Sequence, residues 1–310
     1  MNEFSFIEYL RKKIPGNGRV CIGIGDDAAV LHIGKDQRLV VSTDVIVENV
    51  DFKIRQLNPE KIGRKALAVN LSDVAAMGAK PTAFVISIGK PAHIAPSWLK
   101  RFYRGLLALA KQYGVSCIGG DLSKSREFFA SVTIFGEVSP RHLIRRSGAV
   151  QGDWIGVTGV LGGSRLHHHY DFTPRVREGL FLGSRITPTA MIDISDGLVQ
   201  DLGHILKASK VGAVLELDKI PVSRDAKKKS RGNEAKALER ALSDGEDFEL
   251  LFTASPRQKR MLEKGWKKKF SKVPLTWIGK IHGAKPGIHW TRKGKAAAAP
   301  RLSQKGFSHF

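Results

Sequence analysis

The chain has 310 residues, 42% hydrophobic and 26% charged, with a formal net charge of +22 from 51 Lys+Arg against 29 Asp+Glu. That length fills about two globular domains; the absence of any apolar run of about 18 residues excludes a membrane-spanning helix, and the opening MNEFSFIEYL lacks the basic-then-apolar plan of a secretory leader. Two cysteines, Cys21 and Cys117, make neither a disulfide framework nor a zinc pattern and are expected as small core residues of a cytoplasmic protein.

In chain order, strands are expected at RVCIGIG, LVVSTDVIV, AFVISIG, VSCIGG and FASVTIFGEV, each an apolar, β-rich run bounded by Gly or polar residues. Between them, NPEKIGRKALAVNLSDVAAMG reads as a helix. Asn58 is a natural N-cap, Pro59 fits the first turn, Glu60 suits the positive end of the dipole, and Gly78 ends it. A second helix is expected in APSWLKRFYRGLLALAKQYG. The turn-rich SPRHLIRRSGAVQGD sets a boundary between domains at 1–139 and 140–310. Beyond it come the strand WIGVTG, the glycine loop VLGGS, a short histidine-bearing segment, a strand end turning into a helix in AMIDISDGLVQDLGHILKASKVG, and a strand opened by GEDFELLFT.

Acids recur where these runs end: Asp26 and Asp27 in GIGDDAAV, Asp44 in STD, Asp73 in NLSD, Asp121 in GGD, Asp193 and Asp196 in DISDG, Glu246 and Asp247 in GED. Any one of them reads as a turn or cap residue. Together, flanked by small residues that allow close approach, they offer the hard oxygen ligands that suit Mg²⁺ beside phosphates. No Walker loop and no protein-kinase signature is present. The segment GVTGVLGGS could either cradle phosphate through backbone N–H groups or be a plain turn. Fifteen Lys/Arg follow residue 254 against one acid, Glu263. RDAKKKSR and GWKKKF are expected as solvated faces, without zinc-finger spacing or RNA-stacking signatures, so nucleic acid is not the expected partner. Histidines 167–169 are expected in a solvated loop, since three adjacent residues cannot all face one ion.

These motifs, with KALAVNLSDVAAMGAKP, IGGD, RSGAVQGDWIGVTG and the terminal GFSHF, resemble the thiamine-monophosphate kinase family in order and over most of the chain. The superfamily is that of aminoimidazole ribonucleotide synthetase and selenophosphate synthetase. The resemblance implies a two-domain α/β fold. Its N-terminal domain would carry a mixed sheet, bind ATP and Mg²⁺ and form a homodimer through its strands; its C-terminal α/β domain would complete the nucleotide and thiamine sites. It implies ATP-dependent phosphorylation of thiamine monophosphate to thiamine diphosphate, the last step of thiamine diphosphate synthesis. By motif position, Asp27, Ser42, Thr43, Asp44, Asp73, Asp121 and Asp193 would be metal ligands, with Asp196 holding a further Mg²⁺. Gly120, Asp121, Arg146, Ser195 and Tyr103 would contact ATP. Asp51, Glu246 and Phe307 would meet the thiamine moiety, Phe307 by stacking.

The chemistry fits that implication. A phosphomonoester acceptor has a second pKa of about 6 and is mostly ionised at neutral pH, so the reaction needs no general base. The obstacle is repulsion between polyanions, roughly 4 kcal/mol for one unit-charge pair at about 4 Å and an effective dielectric near 20. Several Mg²⁺ ions and a fixed cation such as Arg146 answer it without a catalytic residue, by direct in-line transfer. The sequence departs from the family where VEGVHF reads VENVDF, with Asn49 for Gly and Asp51 for His, and where GGED reads Asp244-Gly245-Glu246-Asp247. An Asp at 51 would repel a substrate phosphate, and Asp244 would add an acid beside the thiamine site. Two alternatives stand beside the kinase: a superfamily ATP enzyme with a changed phosphate acceptor, and a basic nucleic-acid-binding protein that kept the fold.

Overall fold

The computed structural model describes residues 3–14, 17–164, 168–283 and 287–302. The elements run α1 (Glu3–Lys13), β1 (Val20–Ile22), β2 (Ala29–His32), β3 (Arg38–Val47), α2 (Pro59–Ala76), β4 (Lys80–Lys90), α3 (Pro96–Tyr113), β5 (Ser116–Lys124) and β6 (Phe129–Val138). They continue with β7 (Trp154–Thr158), α4 (His168–Asp171), α5 (Val176–Phe181), β8 (Ala190–Asp193), α6 (Leu198–Ser209), β9 (Gly212–Glu216), α7 (Arg224–Lys229) and α8 (Glu234–Ser243). The last are β10 (Leu250–Ala254), α9 (Pro256–Lys269), β11 (Leu275–His282), β12 (Ile288–Arg292) and β13 (Lys295–Ala297). The strands form two mixed sheets, ordered β1-β2-β3-β6-β4-β5 and β13-β12-β9-β11-β7-β10-β8, so the fold is the expected mixed α/β one.

Helix α2 joins the two halves. Asn58 caps it by accepting from Lys61 N, Pro59 sits in its first turn, and Gly78 leaves it with φ +66°, a left-handed value that favours glycine. Buried apolar residues surround it: Ile62, Ala66, Leu67, Val69, Leu71, Val74 and Ala75. A helix buried on nearly every side is an interior helix; α2 packs on β3, β6 and α3 and also on α4, α5 and β8. Its crossing with α3 is backbone on backbone: a Cβ at Gly63 would lie 2.0 Å from Phe102 O, and one at Gly105 would lie 1.9 Å from Glu60 O.

Strand β3 alternates, which sorts its side chains. Val40, Ser42 and Ile46 are buried on the α2 side, while Thr43 and Val45 face the open side of the sheet. The far edge strand β5 is exposed along all nine residues, with Ile118 at 62% and Leu122 at 57%.

Several expectations change. Cys117 lies on β5 and Cys21 on the opposite edge strand β1, so both are exposed rather than core. The acids are not confined to turns: Asp44 is within β3, Asp73 is in α2 and Asp193 ends β8. The hairpin β12–β13 lies in a stretch with no strand expected. The lysines of α7 and α9 (227–229 and 267–269) are solvated, as expected. No helix among the described residues is long and apolar enough to cross a membrane.

Candidate active site

A cleft of about 1100 Å³ opens between the first sheet, α2 and the 193–204 segment. The α2 face that lines it carries Lys65, Val69 and Asp73, spaced by four residues and so stacked on one side. Asp27, Asp73 and Asp193 bring carboxylate oxygens within 4.8 Å of one another. Each is held from behind. Ser42 Oγ donates to Asp73 at 2.5 Å, Ser72 Oγ donates to Asp193 at 2.5 Å, and Arg146 Nη2 donates to Asp27 at 2.9 Å. Asp44 enters from β3, its N–H donating to Asn70 Oδ1 at 3.1 Å.

Burial and mutual repulsion push these acids up. Asp193 rises to about 8 and Asp73 well above the usual carboxylate range, first by desolvation and then by neighbouring carboxylates, Asp44 among them. Burial also raises Asp27, against the pull of Arg146. Burial works against the Arg146 charge, but Asp27 and Asp26 outweigh it and its pKa rises. Asp27 Oδ2 is buried with no hydrogen-bond partner among the described residues. Converging hard oxygens that raise one another, one of them orphaned, suit a divalent cation, whose charge removes the repulsion. The donor set therefore fits Mg²⁺.

A second group, Asp196, Asp201 and His204, also lies within 4.8 Å. Asp201 accepts from Asp196 N and Gly197 N, which fixes the turn into α6. His204 falls to about 4 through burial, then Arg146 and Lys207, and is neutral at physiological pH. Ser195 and Asp196 both line the cleft.

At its far end the cleft meets a smaller cavity of about 240 Å³; Asp51 and Glu246 line both. Lys65, 1% exposed, donates to Glu246 Oε1 at 2.6 Å and to Asp51 O at 3.3 Å, and His169 Nδ1 lies 2.9 Å from Glu246 Oε2. Burial works against the Glu246 charge, but His169 and Lys65 hold it down at about 2. The structure thus corrects the expectation of a solvated 167–169 loop: His169 is 6% exposed and bound into this wall, while His167 lies outside the described residues.

Other nominated residues stand apart. Gly120 shares a cross-strand row with Asp44, through Val132 and Ile86, but three strands over, about 14 Å at the usual strand spacing. Asp121 is exposed beside it on β5, and Tyr103 is half-buried on α3 near Cys117. Thr43 points to the open face, donating to Val132 O at 3.1 Å. Phe307 lies outside the described residues. The glycine loop has the plain-turn role: Gly162 N donates to both oxygens of Asp247, Gly163 N donates to Asp244 at 3.0 Å, and Ser164 Oγ also bonds Asp247. The N–H groups of Gly162 and Gly163 are spent on carboxylates and that of Leu161 on Pro221 O. Asp244, engaged there and with Arg240 at 3.2 Å, faces the loop rather than the thiamine side.

Sequence reasoning missed Lys65, Asn70, Ser72, His169, Asp201 and His204. Helical spacing from Asp73 marks Lys65 and Val69, and the three-residue step from Asp201 to His204 was legible. Nothing local marks His169.

Residues 25–138 match the family AIR synthase related protein, N-terminal domain. The thiamine-monophosphate kinase of Rhodopirellula baltica is 39% identical over 99% of this chain and 97% of its own. That of Escherichia coli K12 is 36% identical over 99% and 98%. Among solved structures, AaThiL complexed with AMPPCP and TMP is 30% identical with a TM-score of 0.78, covering 100% of this chain and 97% of its own. Thiamine-monophosphate kinase from Stenotrophomonas maltophilia K279a is 34% identical with a TM-score of 0.74, over 95% and 98%. Identity at this level along the whole length, on the same fold and around an acid-lined cleft, places the chain in the thiamine-monophosphate kinase family of enzymes.

Proposed function

We propose that the protein transfers the γ-phosphoryl group of ATP directly to thiamine monophosphate, giving ADP and thiamine diphosphate in the cytoplasm. The observation that carries this is the convergence of Asp27, Asp73 and Asp193 beside Arg146 in the large cleft. A relative of the same fold is solved with AMPPCP, an ATP analogue, and TMP. Asp27, Asp44, Asp73 and Asp193, with Ser42 beside them and Asp196 further along, are the residues that would hold Mg²⁺, while the Thr43 hydroxyl is engaged with Val132 O on the open face. Bound there, it neutralises phosphate charge and aligns donor with acceptor.

The chain's own residues do the rest. Arg146 supplies a fixed cation for the ATP phosphates. Ser195 lines the nucleotide side, and Asp51, Glu246 and Phe307 serve the thiamine side. The acceptor phosphate oxygen attacks the γ-phosphorus as the bond to the β-phosphate oxygen breaks, the electrons leave with ADP, and no residue becomes phosphorylated. The chain divides at 139/140, the first part carrying the dimer contact and most metal ligands.

Tyr103, Gly120 and Asp121 lie at or behind the exposed β5 edge, far from the acid cluster of their own chain. A bare edge strand of nine exposed residues favours pairing with a second copy. In a homodimer those three residues would serve the neighbouring cleft.

The test is an assay of purified protein with ATP, Mg²⁺ and thiamine monophosphate, with free thiamine as control acceptor. Thiamine diphosphate should form from the monophosphate alone. None formed at any Mg²⁺ concentration would reject the assignment, and label from ATP retained on the protein would reject direct transfer.

A further inference from the structure

The buried ammonium of Lys65 gathers three separate chain segments. It donates to the Asp51 carbonyl and to Glu246, lies 3.1 Å from His169 Nδ1, and sits 5.3 Å over the Tyr170 ring. His169 meets the other oxygen of the same carboxylate, so Glu246 Oε1 and Oε2 are each held by a different element, α2 and α4. The Glu246 backbone is itself pinned. Its φ is +55°, a left-handed value for a non-glycine residue, and its N–H donates to Ser195 O at 2.7 Å. Strain of this kind persists where the surroundings over-determine it. The clamped carboxylate stands in the wall shared by the acid cleft and the smaller cavity, which Tyr170 and Lys53 also line.

A buried ion pair is weak support for stability, because desolvation offsets its attraction. It does fix direction. A glutamate left to itself samples many rotamers, and ordering it on binding costs conformational entropy. We propose that Lys65 and His169 are positioning residues for the acceptor, clamping the Glu246 carboxylate so that it meets the heterocycle of the substrate in a preset orientation. This rests on the kinase function above and adds two residues to it. Both act through Glu246, on the acceptor and not on ATP.

The test uses the full-length protein with His169→Asn, His169→Gln, His169→Leu and Lys65→Met, in steady state with thiamine monophosphate varied at saturating ATP and Mg²⁺. Asparagine places its amide nitrogen near the position of Nδ1, whereas glutamine reaches the position of Nε2. His169→Leu, His169→Gln and Lys65→Met should raise KM for thiamine monophosphate about 10–100-fold, the size expected for losing a charge-assisted hydrogen bond. His169→Asn should stay within about threefold of wild type, and kcat and KM for ATP should hold within about threefold throughout. A packing role would not separate asparagine from glutamine. Equal behaviour of those two variants, or an unchanged KM in His169→Leu, overturns the clamp. If wild type fails to turn over thiamine monophosphate, the kinase assignment fails first. Calorimetry with free thiamine then judges the clamp alone: it stands if His169→Gln binds at least about tenfold more weakly than wild type, and falls if the two bind alike or neither binds.

Discussion

Arg146 Nη2 lies 2.9 Å from Asp27 Oδ1, and the Arg146 N–H donates to Asp26 at 3.1 Å, so one residue ties the segment between the sheets to the acid loop. The Asp27 side chain is 1% exposed there. Removing the guanidinium leaves a buried carboxylate without its counter-charge, which typically costs about 3–5 kcal/mol. Arg146→Ala should therefore lower the melting temperature of the metal-free protein by several degrees and raise KM for ATP at least about tenfold. Added Mg²⁺ should recover part of the lost stability, because a cation at Asp27 replaces the missing charge. Thermal denaturation with and without Mg²⁺ checks this; an identical loss in both conditions would show that Asp27 does not bind the metal.

The wall around Glu246 makes a prediction in pH. Its carboxyl falls from the ordinary 4.5 to about 2 in the folded protein. A lowered carboxyl stabilises above its unfolded pKa, and that contribution is lost as pH falls through the folded value. The window is thus roughly pH 4.5 down to 2, and the contribution at neutral pH is on the order of 3 kcal/mol. Glu246→Gln should be less stable than wild type by about 2–3 kcal/mol at pH 7 in urea denaturation, with the difference shrinking steadily below pH 4. A difference that is the same at pH 7 and pH 3 would mean that Glu246 is not held ionised by Lys65 and His169.

The β5 edge is tested by its own side chains. Ile118 and Leu122 are exposed apolar residues on that strand, and Ile118→Arg should turn a dimer into a folded monomer by light scattering. If each cleft takes its β5 residues from a second copy, the monomer should lose at least about 100-fold in turnover. Mixing inactive Asp44→Asn chains with inactive Asp121→Asn chains should then restore up to about a quarter of wild-type activity. Half of the re-formed dimers are mixed, and each mixed dimer regains one intact site. No restoration would mean that both aspartates serve the same chain's site, or that Asp121 serves none.

The legible parts of this protein are those in which a local rule coincides with a global one. Asn58, Pro59 and Gly78 mark α2 because caps and breakers act on their immediate neighbours. The acids of the cleft were visible because carboxylates at the ends of apolar runs need a partner to justify burial. Which of them converge is set by strand order and register, which no local pattern encodes; Asp44 and Gly120 share a row yet stand three strands apart. His169 was illegible because its role depends on α2 and the 244–248 loop arriving from far along the chain. From α4, His169 Nδ1 reaches to 3.1 Å from Lys65 Nζ, more than a hundred residues further along the chain. Asn49, a departure in sequence, is none in backbone terms: at φ +66° it takes the left-handed conformation that glycine takes freely and asparagine tolerates best among the others.

Asp51 is the other departure, and its carboxylate has a local partner. Oδ2 accepts from Val47 N at 2.8 Å, while the Asp51 N–H donates back to Val47 O at 2.9 Å, closing the turn that follows β3. Short polar side chains that bond nearby backbone in this way stabilise turns. The turn also sets the Asp51 carbonyl that Lys65 contacts. The side chain therefore acts on the acceptor wall through backbone geometry, and its charge is of secondary weight. Asp51→Asn keeps an acceptor oxygen and should leave stability within about 0.5 kcal/mol and KM for thiamine monophosphate within about threefold. Asp51→Ala, and Asp51→His with it, loses the bond to Val47 and should cost about 1 kcal/mol, with KM rising several-fold as the Lys65 contact loosens. Were Asp51→His instead to bind thiamine monophosphate more tightly than wild type, the acidic side chain would be repelling the substrate phosphate directly, and the turn would be incidental.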